Sequence, residues 1–271
     1  MNICLIFFSA TNNTKTIGEV ITREIEKNSR SVNLLLIDIT PYSVRNQKVN
    51  LKQCEKFIFG FPVYGWRAPS VVREWLKTLE GKGRECAMFF TYGGINSGVV
   101  HYDTYQILEE NGFKVLSSAE FIASHTYNLG GWNVLENRPN DEDFKIARQY
   151  AQSILKKFQE SDLHSFQIKP HEYSDKTLKR IENNPKRMVN PPRWAAECDV
   201  CGLCDNLCPT NAIDAENQII NEEKCIRCFS CVLNCPESVL EVDDLTRLYK
   251  MALKVEHLLE KEINNRKSKI L

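Results

Sequence analysis

Short apolar runs alternate with amphipathic stretches along the first 160 residues of the chain. The runs predict five strands, and the stretches between them carry apolar residues at the three- and four-residue spacing of a helix. The predicted strands are ICLIFF, SVNLLLID, KFIFGF, ECAMFFT and FKVLSSAEFIA, and a last helix is expected at Asp141 to Gln159. Continuous apolar strands joined by helices are typical of a parallel sheet covered on both faces. The pattern predicts an α/β domain with a doubly wound, five-stranded parallel sheet over residues 1–160.

The regular spacing of apolar residues ends after this domain. Residues 161–194 are rich in proline, asparagine and basic side chains, which predicts a connector, with a short helix at Asp175 to Asn183. A cysteine-rich module follows at 195–242. Within 243–271, apolar residues return at helical spacing from Asp243 to about Lys267, which predicts an amphipathic C-terminal helix that packs on one of the two domains.

Composition and charge narrow the class of protein. The chain is 42% hydrophobic, and no stretch approaches the roughly 20 apolar residues of a membrane span. Its opening MNICLIFFSA lacks a basic leader, so a buried strand, a soluble protein and a cytoplasmic location are expected. The zero net charge hides an uneven distribution, because residues 197–241 hold nine acidic and two basic side chains. Such a segment could steer basic partners, and nothing in the sequence resembles a nucleic-acid footprint.

Eight of the eleven cysteines lie between Cys198 and Cys235, and this clustering indicates a metal-binding module rather than a disulfide framework. The remaining three, Cys4, Cys54 and Cys86, are scattered. We expect them to be free, because an isolated cysteine usually behaves as a small buried hydrophobic residue.

The module contains one cysteine motif twice. Four cysteines and a proline spell C-x-x-C-x-x-C-x-x-x-C-P at 198–209, and again, displaced by 27 residues, at 225–236. The repeat continues beyond the cysteines, since Ile213 corresponds to Leu240, so one supersecondary unit has been duplicated. Two-residue gaps let three thiolates converge on one compact cube, whose fourth ligand must come from elsewhere. A pair of structural zinc sites is the alternative, although three closely spaced cysteines leave one surplus in each.

This module resembles the two-cluster bacterial ferredoxins, in which the fourth cysteine of each run ligates the other cluster. The resemblance implies a small α+β domain with two [4Fe-4S] clusters. It assigns one cluster to Cys198, Cys201, Cys204 and Cys235, and the other to Cys225, Cys228, Cys231 and Cys208.

Three loops of the α/β domain carry candidate ligand-binding residues. The loop from Ser9 to Thr14 places hydroxyls, amides and a helix N-terminus around one point, where a phosphate can bind without a basic side chain. Aromatic and glycine residues follow the third strand at 62–66 and the fourth at 91–94. The ligand crevice of an open α/β sheet lies at the carboxyl ends of its strands, where the strand order reverses.

Residues 3 to about 160 look like a flavodoxin, and the first loop is similar to that family's phosphate loop, with Asn12 where the family often has glycine. The resemblance implies one FMN. It assigns the phosphate to the first loop and the isoalloxazine to the other two, and the Gly65 peptide would change its hydrogen bond at flavin N5 on reduction. The implied FMN residues are Ser9, Thr11, Asn12, Asn13, Thr14, Pro62, Val63, Tyr64, Gly65, Trp66, Thr91, Tyr92, Gly93 and Gly94.

The whole chain resembles the flavodoxin–ferredoxin fusion proteins of anaerobic bacteria and archaea. The resemblance implies an electron-transfer protein that passes electrons between two [4Fe-4S] clusters and FMN, interconverts one- and two-electron steps and serves unidentified redox partner proteins. A flavin-dependent reductase is the alternative, with Trp66, Tyr92, His125 and Tyr127 around a small substrate, although the last two are expected to be surface loop residues. A zinc-stapled interaction module without flavin is the third hypothesis.

Overall fold

The structure is a computed structural model that describes residues 1–47, 49–160 and 166–271, so the first five residues of the predicted connector, 161–165, lie outside it. No helix within these ranges has the length and apolar character needed to span a membrane. The N-terminal elements are β1 Asn2–Phe7, α1 Asn13–Asn28, β2 Asn33–Asp38, α2 Tyr42–Arg45, β3 Lys56–Pro62, α3 Ser70–Leu76, β4 Glu85–Tyr92, α4 Val100–Glu110, β5 Lys114–Ile122 and α5 Asp141–Glu160.

The five strands form one parallel sheet in the order β2-β1-β3-β4-β5. This is the strand order of flavodoxin-like doubly wound domains, so the predicted fold class is confirmed. Strand β1 lies between β2 and β3, with Ile3 opposite both Leu34 and Lys56. The order reverses between β1 and β3, and the loops that follow these strands therefore diverge and leave a crevice at the carboxyl edge of the sheet.

Both faces of the sheet are buried, as the continuous apolar strands require. Alternate residues of β1 point to opposite faces. Ile3 and Leu5 pack in the core that includes α1 and α5, whereas Cys4 and Ile6 pack in the core that includes α3 and α4. A period-2 alternation is absent from the sequence because each face has its own helical layer.

The second half of the chain contains shorter elements. They are α6 Asp175–Glu182, α7 Asn184–Met188, β6 Arg193–Trp194, α8 Leu203–Leu207, β7 Ile213–Asp214, β8 Ile219–Ile220, α9 Ser230–Leu233, β9 Leu240–Glu241, α10 Thr246–Val255, α11 Glu260–Asn264 and β10 Lys269–Ile270. The predicted short helix of the connector is therefore present as α6. In the cysteine module, antiparallel pairs join β6 to β9 and β7 to β8, which gives a small α+β domain.

The backbone of the cysteine module repeats as its sequence does. Residues with positive φ recur 27 positions apart, at 200 and 227 (φ 52° and 57°), at 202 and 229 (70° and 56°) and at 211 and 238 (50° and 54°). Residues other than glycine adopt such angles infrequently, so their recurrence at one spacing indicates that the duplicated motif folds twice into the same loop.

The C-terminal region differs from the single helix predicted for it. Helix α10 ends at Val255, His257 takes a left-handed φ of 52°, and α11 starts at Glu260. Residues 269 and 270 then pair antiparallel with β5, so the sheet has six strands rather than five. Without this pairing, the backbone N–H and C=O groups at the edge of β5 would lack partners. The spacing of apolar residues in the C-terminal sequence does not indicate that residues 269 and 270 supply them.

The prediction that all three scattered cysteines are free was wrong for two of them. Cys4 and Cys54 form a disulfide with a Cα–Cα distance of 5.6 Å, whereas Cys86 is free and buried on β4. Cys4 lies on β1, and Cys54 lies two residues before β3, which pairs with β1. The pairing of these two strands brings together residues 50 positions apart, a proximity that cysteine spacing alone does not reveal.

Replacing Ser268 with alanine should destabilise the α/β domain. The buried Ser268 hydroxyl accepts a hydrogen bond from the Ile122 backbone N–H at 2.9 Å and donates one to the Asp143 carboxylate. Its loss leaves a buried N–H without a partner, which costs about 1–3 kcal/mol. Urea denaturation followed by circular dichroism measures the loss, with the exposed Ser31→Ala as control. An equal midpoint for Ser268→Ala and Ser31→Ala would show that the two hydrogen bonds of Ser268 contribute nothing to stability.

Candidate cofactor sites

A cavity of about 140 Å³ lies at the carboxyl edge of the sheet, at the reversal of strand order. The loops after β1, β3, β4 and β5 form most of its wall, and the connector and cysteine module complete it. It is lined by Ser9, Ala10, Thr11, Asn13, Thr14, Pro62, Val63, Tyr64, Gly65, Thr91, Tyr92, Gly93, Ala123, Ser124, His125, Thr126, Tyr127, Pro185, Ile226 and Arg227.

The loop after β1 has the geometry of an anion site. Ser9 Oγ accepts a hydrogen bond from the Lys15 backbone N–H at 3.0 Å, and Asn13 Nδ2 donates to the Ser124 carbonyl at 3.1 Å. Asn12 has a φ of 65°, a left-handed angle that glycine favours and asparagine tolerates. This tolerance explains how asparagine can occupy the position before α1 where the sequence comparison expects glycine. The 16-residue helix α1 then points its N-terminus, the positive end of its dipole, towards the loop.

Glycines let the other two loops approach neighbouring chain segments closely. A Cβ on Gly93 would lie 2.2 Å from the His125 ring, and a Cβ on Gly65 would lie 2.8 Å from the Glu182 Cα of α6. Gly65 also has a φ of 55°. The loop after β3 is therefore packed against the connector, and the loop after β4 against the loop after β5.

His125 occupies the wall of the cavity and is not the surface residue that the sequence predicted. Its ring stacks on Trp132 with centroids 4.3 Å apart, and its Nδ1 accepts a hydrogen bond from the Tyr127 backbone N–H at 3.1 Å. Desolvation lowers the pKa of His125 to about 4, so the ring is neutral at pH 7. Because Nδ1 is the acceptor, the ring proton lies on Nε2.

A second cavity of about 270 Å³ adjoins the first. Seven residues line both cavities, among them Gly65, Gly93 and His125, and the far wall comes from α7 and α10. That wall is largely apolar, with Met188, Leu248, Met251, Ala252 and Val255. On its polar side, Asn96 Nδ2 donates to Glu256 Oε2 at 2.8 Å. The two cavities are therefore adjacent, and together they extend from the loop of Ser9 to Thr14 to helix α10.

The structure brings together most of the predicted flavin residues. Eleven of the fourteen line the first cavity, and Trp66 lines the second. Asn12 and Gly94 line neither. Gly94 has a φ of 76° and lies against Leu135 and Ile263, so its role is in the backbone of the loop.

The cysteines gather in two groups around two smaller cavities. One cavity is lined by Cys198, Cys201, Cys204 and Cys235, and the other by Cys208, Cys225, Cys228 and Cys231. Each group takes three cysteines from one copy of the motif and the last cysteine from the other copy. We call the cavity of Cys201 the outer cage and that of Cys228 the inner cage. Within the described residues, no three His, Cys, Asp or Glu side chains are arranged to share a single metal ion.

Burial affects the thiols of both cages. Desolvation raises the pKa of Cys204 to about 11 and that of Cys228 to about 12. Burial thus disfavours the thiolate form of each, and a bound metal centre would stabilise that form. Cys201 differs from Cys204 and Cys228 because its side chain is exposed to solvent.

The inner cage adjoins the first cavity. Ile226 and Arg227 lie between Cys225 and Cys228 in the sequence, and both line that cavity. Desolvation first, and then the electrostatic effect of the nearby Cys228, raise the pKa of Tyr64 well above its usual value. The Tyr127 ring packs on Phe229 with centroids 5.6 Å apart. No cysteine of either cage lines the first or second cavity, and no residue from Cys198 to Cys204 lines them either.

Sequence reasoning missed part of the site for two different reasons. Of residues 123–127, which follow β5, the sequence suggested only His125 and Tyr127, and only for the alternative substrate pocket. The rule that ligand loops lie at the carboxyl ends of strands includes all five. Pro185, Ile226 and Arg227 come from the connector and the cysteine module. Their position depends on how the two domains dock, and no local pattern indicates it.

Comparison with known proteins gives separate matches for the two halves. Residues 193–236 match the family described as the 4Fe-4S dicluster domain. The polyferredoxin-like subunit of an aliphatic sulfonate oxidoreductase from Pyrococcus furiosus is 42% identical over 55 residues, which are 19% of this chain and 31% of the subunit. An uncharacterized protein of Methanocaldococcus jannaschii is 24% identical over 149 residues, which are 53% of this chain and 91% of the relative.

Solved flavodoxins are similar to the N-terminal part. An archaeal flavodoxin is 20% identical, with a TM-score of 0.44, and the match covers 59% of this chain and 99% of the flavodoxin. Flavodoxin 2 of Bacillus cereus is 14% identical, with a TM-score of 0.46, over 58% of this chain and all of the flavodoxin. The strand order of the sheet is by itself that of flavodoxin-like domains. The chain therefore joins a domain of flavodoxin-like fold to a segment, residues 193–236, that matches the 4Fe-4S dicluster domain.

Proposed function

We propose that this protein carries electrons between two [4Fe-4S] clusters and one FMN, and that it thereby interconverts one- and two-electron steps. A single observation carries the proposal: Ile226 and Arg227, from the loop that holds Cys225 and Cys228, line the same cavity as the phosphate-type loop of Ser9 to Thr14. A chain that served two unrelated binding functions would have no need to bury one cysteine loop against the other domain's site.

The residues of the first cavity fit FMN. The loop from Ser9 to Thr14 would hold its phosphate with backbone N–H groups and the α1 N-terminus. The loops at 62–66 and 91–94, which reach both cavities, would hold the ring, with the neutral His125 Nε2–H as a hydrogen-bond donor. FMN bound there would accept and release electrons singly or in pairs.

The arrangement of the cages favours a linear route. The inner cage, with Cys208, Cys225, Cys228 and Cys231 as ligands, adjoins the flavin cavity, and the outer cage, with Cys198, Cys201, Cys204 and Cys235, is separate from it. The α8 and α9 helices, Leu203–Leu207 and Ser230–Leu233, pack on each other, and each carries a cysteine of one cage, Cys204 on α8 and Cys231 on α9. Electrons would enter or leave at the outer cluster and pass through the inner one. Covalent linkage keeps this exchange intramolecular at a high effective concentration.

Rapid mixing of the anaerobic protein with a one-electron donor tests the proposal. The flavin and the clusters have different visible absorption, so their reduction is followed separately. We expect the clusters to be reduced first, and the flavin to follow at a rate that does not change when the donor concentration is raised. Flavin and clusters that are each reduced at a rate set by the donor would contradict direct transfer between them.

Cysteine variants assign the two clusters. Cys208→Ala should remove the inner cluster, with about four fewer iron atoms per chain, and flavin reduction should then depend on donor concentration. Cys201→Ala should remove the outer cluster and spare the inner one. The buried free Cys86→Ala is the matched control and should keep both. Retention of all iron in Cys208→Ala would refute the crossed ligation, and zinc in place of iron in the parent protein would refute the clusters.

Gly93→Ala should lower FMN content. The new Cβ would lie 2.2 Å from the His125 ring and would push it into the cavity. Because the isoalloxazine would need that space, we expect FMN affinity to fall by about tenfold or more, measured by fluorescence titration of the apoprotein. Gly83→Ala is the control, since its Cβ meets no atom within 4 Å and its effect is limited to backbone strain. Equal FMN affinity in both variants would place the ring elsewhere.

A second candidate function is the reduction of a small substrate at the flavin, supplied with electrons by the clusters. The second cavity favours it, because Trp66, Tyr92, His125 and Tyr127, which the sequence suggested for a substrate pocket, all line this one space. Its largely apolar far wall would suit a small apolar molecule.

Ala252→Phe separates the two functions. The larger side chain on α10 would fill the second cavity, so turnover with a panel of small organic acceptors should fall by about tenfold if that cavity binds substrate. Electron exchange with free ferredoxin should stay unchanged. Lys254→Phe, on the exposed side of the same helix, is the control. Turnover that survives Ala252→Phe in a protein with full FMN content would rule out substrate binding in this cavity.

A further inference from the structure

The two copies of the cysteine loop have the same backbone conformation, but they differ in how much of each loop is exposed to solvent. In the inner copy, Arg227 and Phe229 are 4% and 1% exposed, because this loop is docked on the flavodoxin-like domain. Their counterparts in the outer copy are Val200, which is 47% exposed, and Gly202. Leu203, next along the outer loop, is 39% exposed. The duplicated unit therefore has one loop covered by protein and one equivalent loop facing solvent.

The inner loop shows how a loop of this kind brings its cage to a second cofactor site. The side chains between its cysteines make the contact. Arg227 Nε donates to the Val189 carbonyl at 3.1 Å, Phe229 packs on Tyr127, and Ile226 lines the flavin-type cavity. The side chains at the corresponding positions of the outer loop make no such contact.

We propose that the outer loop is the docking surface for a separate one-electron redox protein whose contact face has an apolar centre and a lysine- and arginine-rich rim. This inference rests on the proposed function, since it takes the outer cage to hold a cluster. Val200 and Leu203 supply the apolar centre. Cys201, exposed between them, puts a cluster sulfur at the contact, and one electron crosses there without any bond forming or breaking.

The negative charge around the outer loop favours a partner with basic residues at the rim of its contact face. Glu197 and Asp199 flank Cys198 and are exposed, and neither forms an ion pair within the described part of the chain. Glu237 is also exposed, two residues after Cys235 of the same cage. Of the two basic residues in 197–241, Arg227 is buried and Lys224 lies just before the inner cage. An acidic partner would be repelled, whereas a basic one is attracted at long range.

The test measures electron transfer from the reduced holoprotein to a lysine-rich cytochrome c, used as a basic acceptor. The ferric haem takes one electron from the outer cluster. We expect the second-order rate to fall by about tenfold between low and high ionic strength, because salt screens the attraction. The double variant Glu197→Gln/Asp199→Asn should lower the low-salt rate by about threefold or more. Val200→Ser should lower the rate at every salt concentration.

The matched control, Glu216→Gln/Glu222→Gln, removes the same charge from exposed residues outside the outer loop. Equal losses in both double variants, or a rate that does not depend on salt, would overturn the proposed surface. The same proteins are also reduced by a small neutral donor, and the flavin and the clusters are followed separately. This measures electron transfer between the clusters and the flavin within the protein, which we call the internal route. A normal internal route with a salt-independent cytochrome reaction would refute the docking surface alone, whereas absent clusters would refute the proposed function.

Discussion

The structure depends on the packing of one cysteine loop against the carboxyl edge of a parallel sheet. In the loop from Cys225 to Cys231, Arg227 and Phe229 are buried and the partly buried Ile226 packs on the core of the flavodoxin-like domain. Little protein would therefore separate the proposed inner cluster from the proposed flavin. The edge can receive the loop because the strand order reverses there and leaves a crevice. The proposed flavin site is consequently built from both domains.

Other parts of the chain hold this contact in place. Trp132 Nε1 donates to the Leu245 carbonyl at 3.1 Å, and the Leu245 N–H donates to the Gly130 carbonyl at 2.7 Å, so the start of α10 is fixed to the loop that carries His125. The connector is fixed by Glu182, which pairs with the buried Arg73 of α3. The end of the chain continues as a sixth strand. These contacts come from the segments that the sequence predicted to be a connector and an amphipathic C-terminal helix.

Duplication would let one small module serve both the proposed flavin site and the proposed external partner. Both copies of the motif fold into the same loop, with positive φ angles at matching positions. The side chains between the cysteines differ, and they decide what each loop contacts. Isoleucine, arginine and phenylalanine in the inner copy pack inside the protein, whereas aspartate, valine and glycine in the outer copy remain at the surface.

The sequence by itself determined whatever depends on local pattern: the five parallel strands, the phosphate-type loop and the duplicated cysteine motif. Apolar periodicity and two-residue cysteine gaps are local properties that survive without tertiary information. Only the tertiary structure decided the disulfide between Cys4 and Cys54, the pairing of residues 269 and 270 with β5, and the place of His125 in the cavity wall. Each of these joins segments far apart in the chain, and their meeting depends on strand pairing and domain docking, which no single segment encodes.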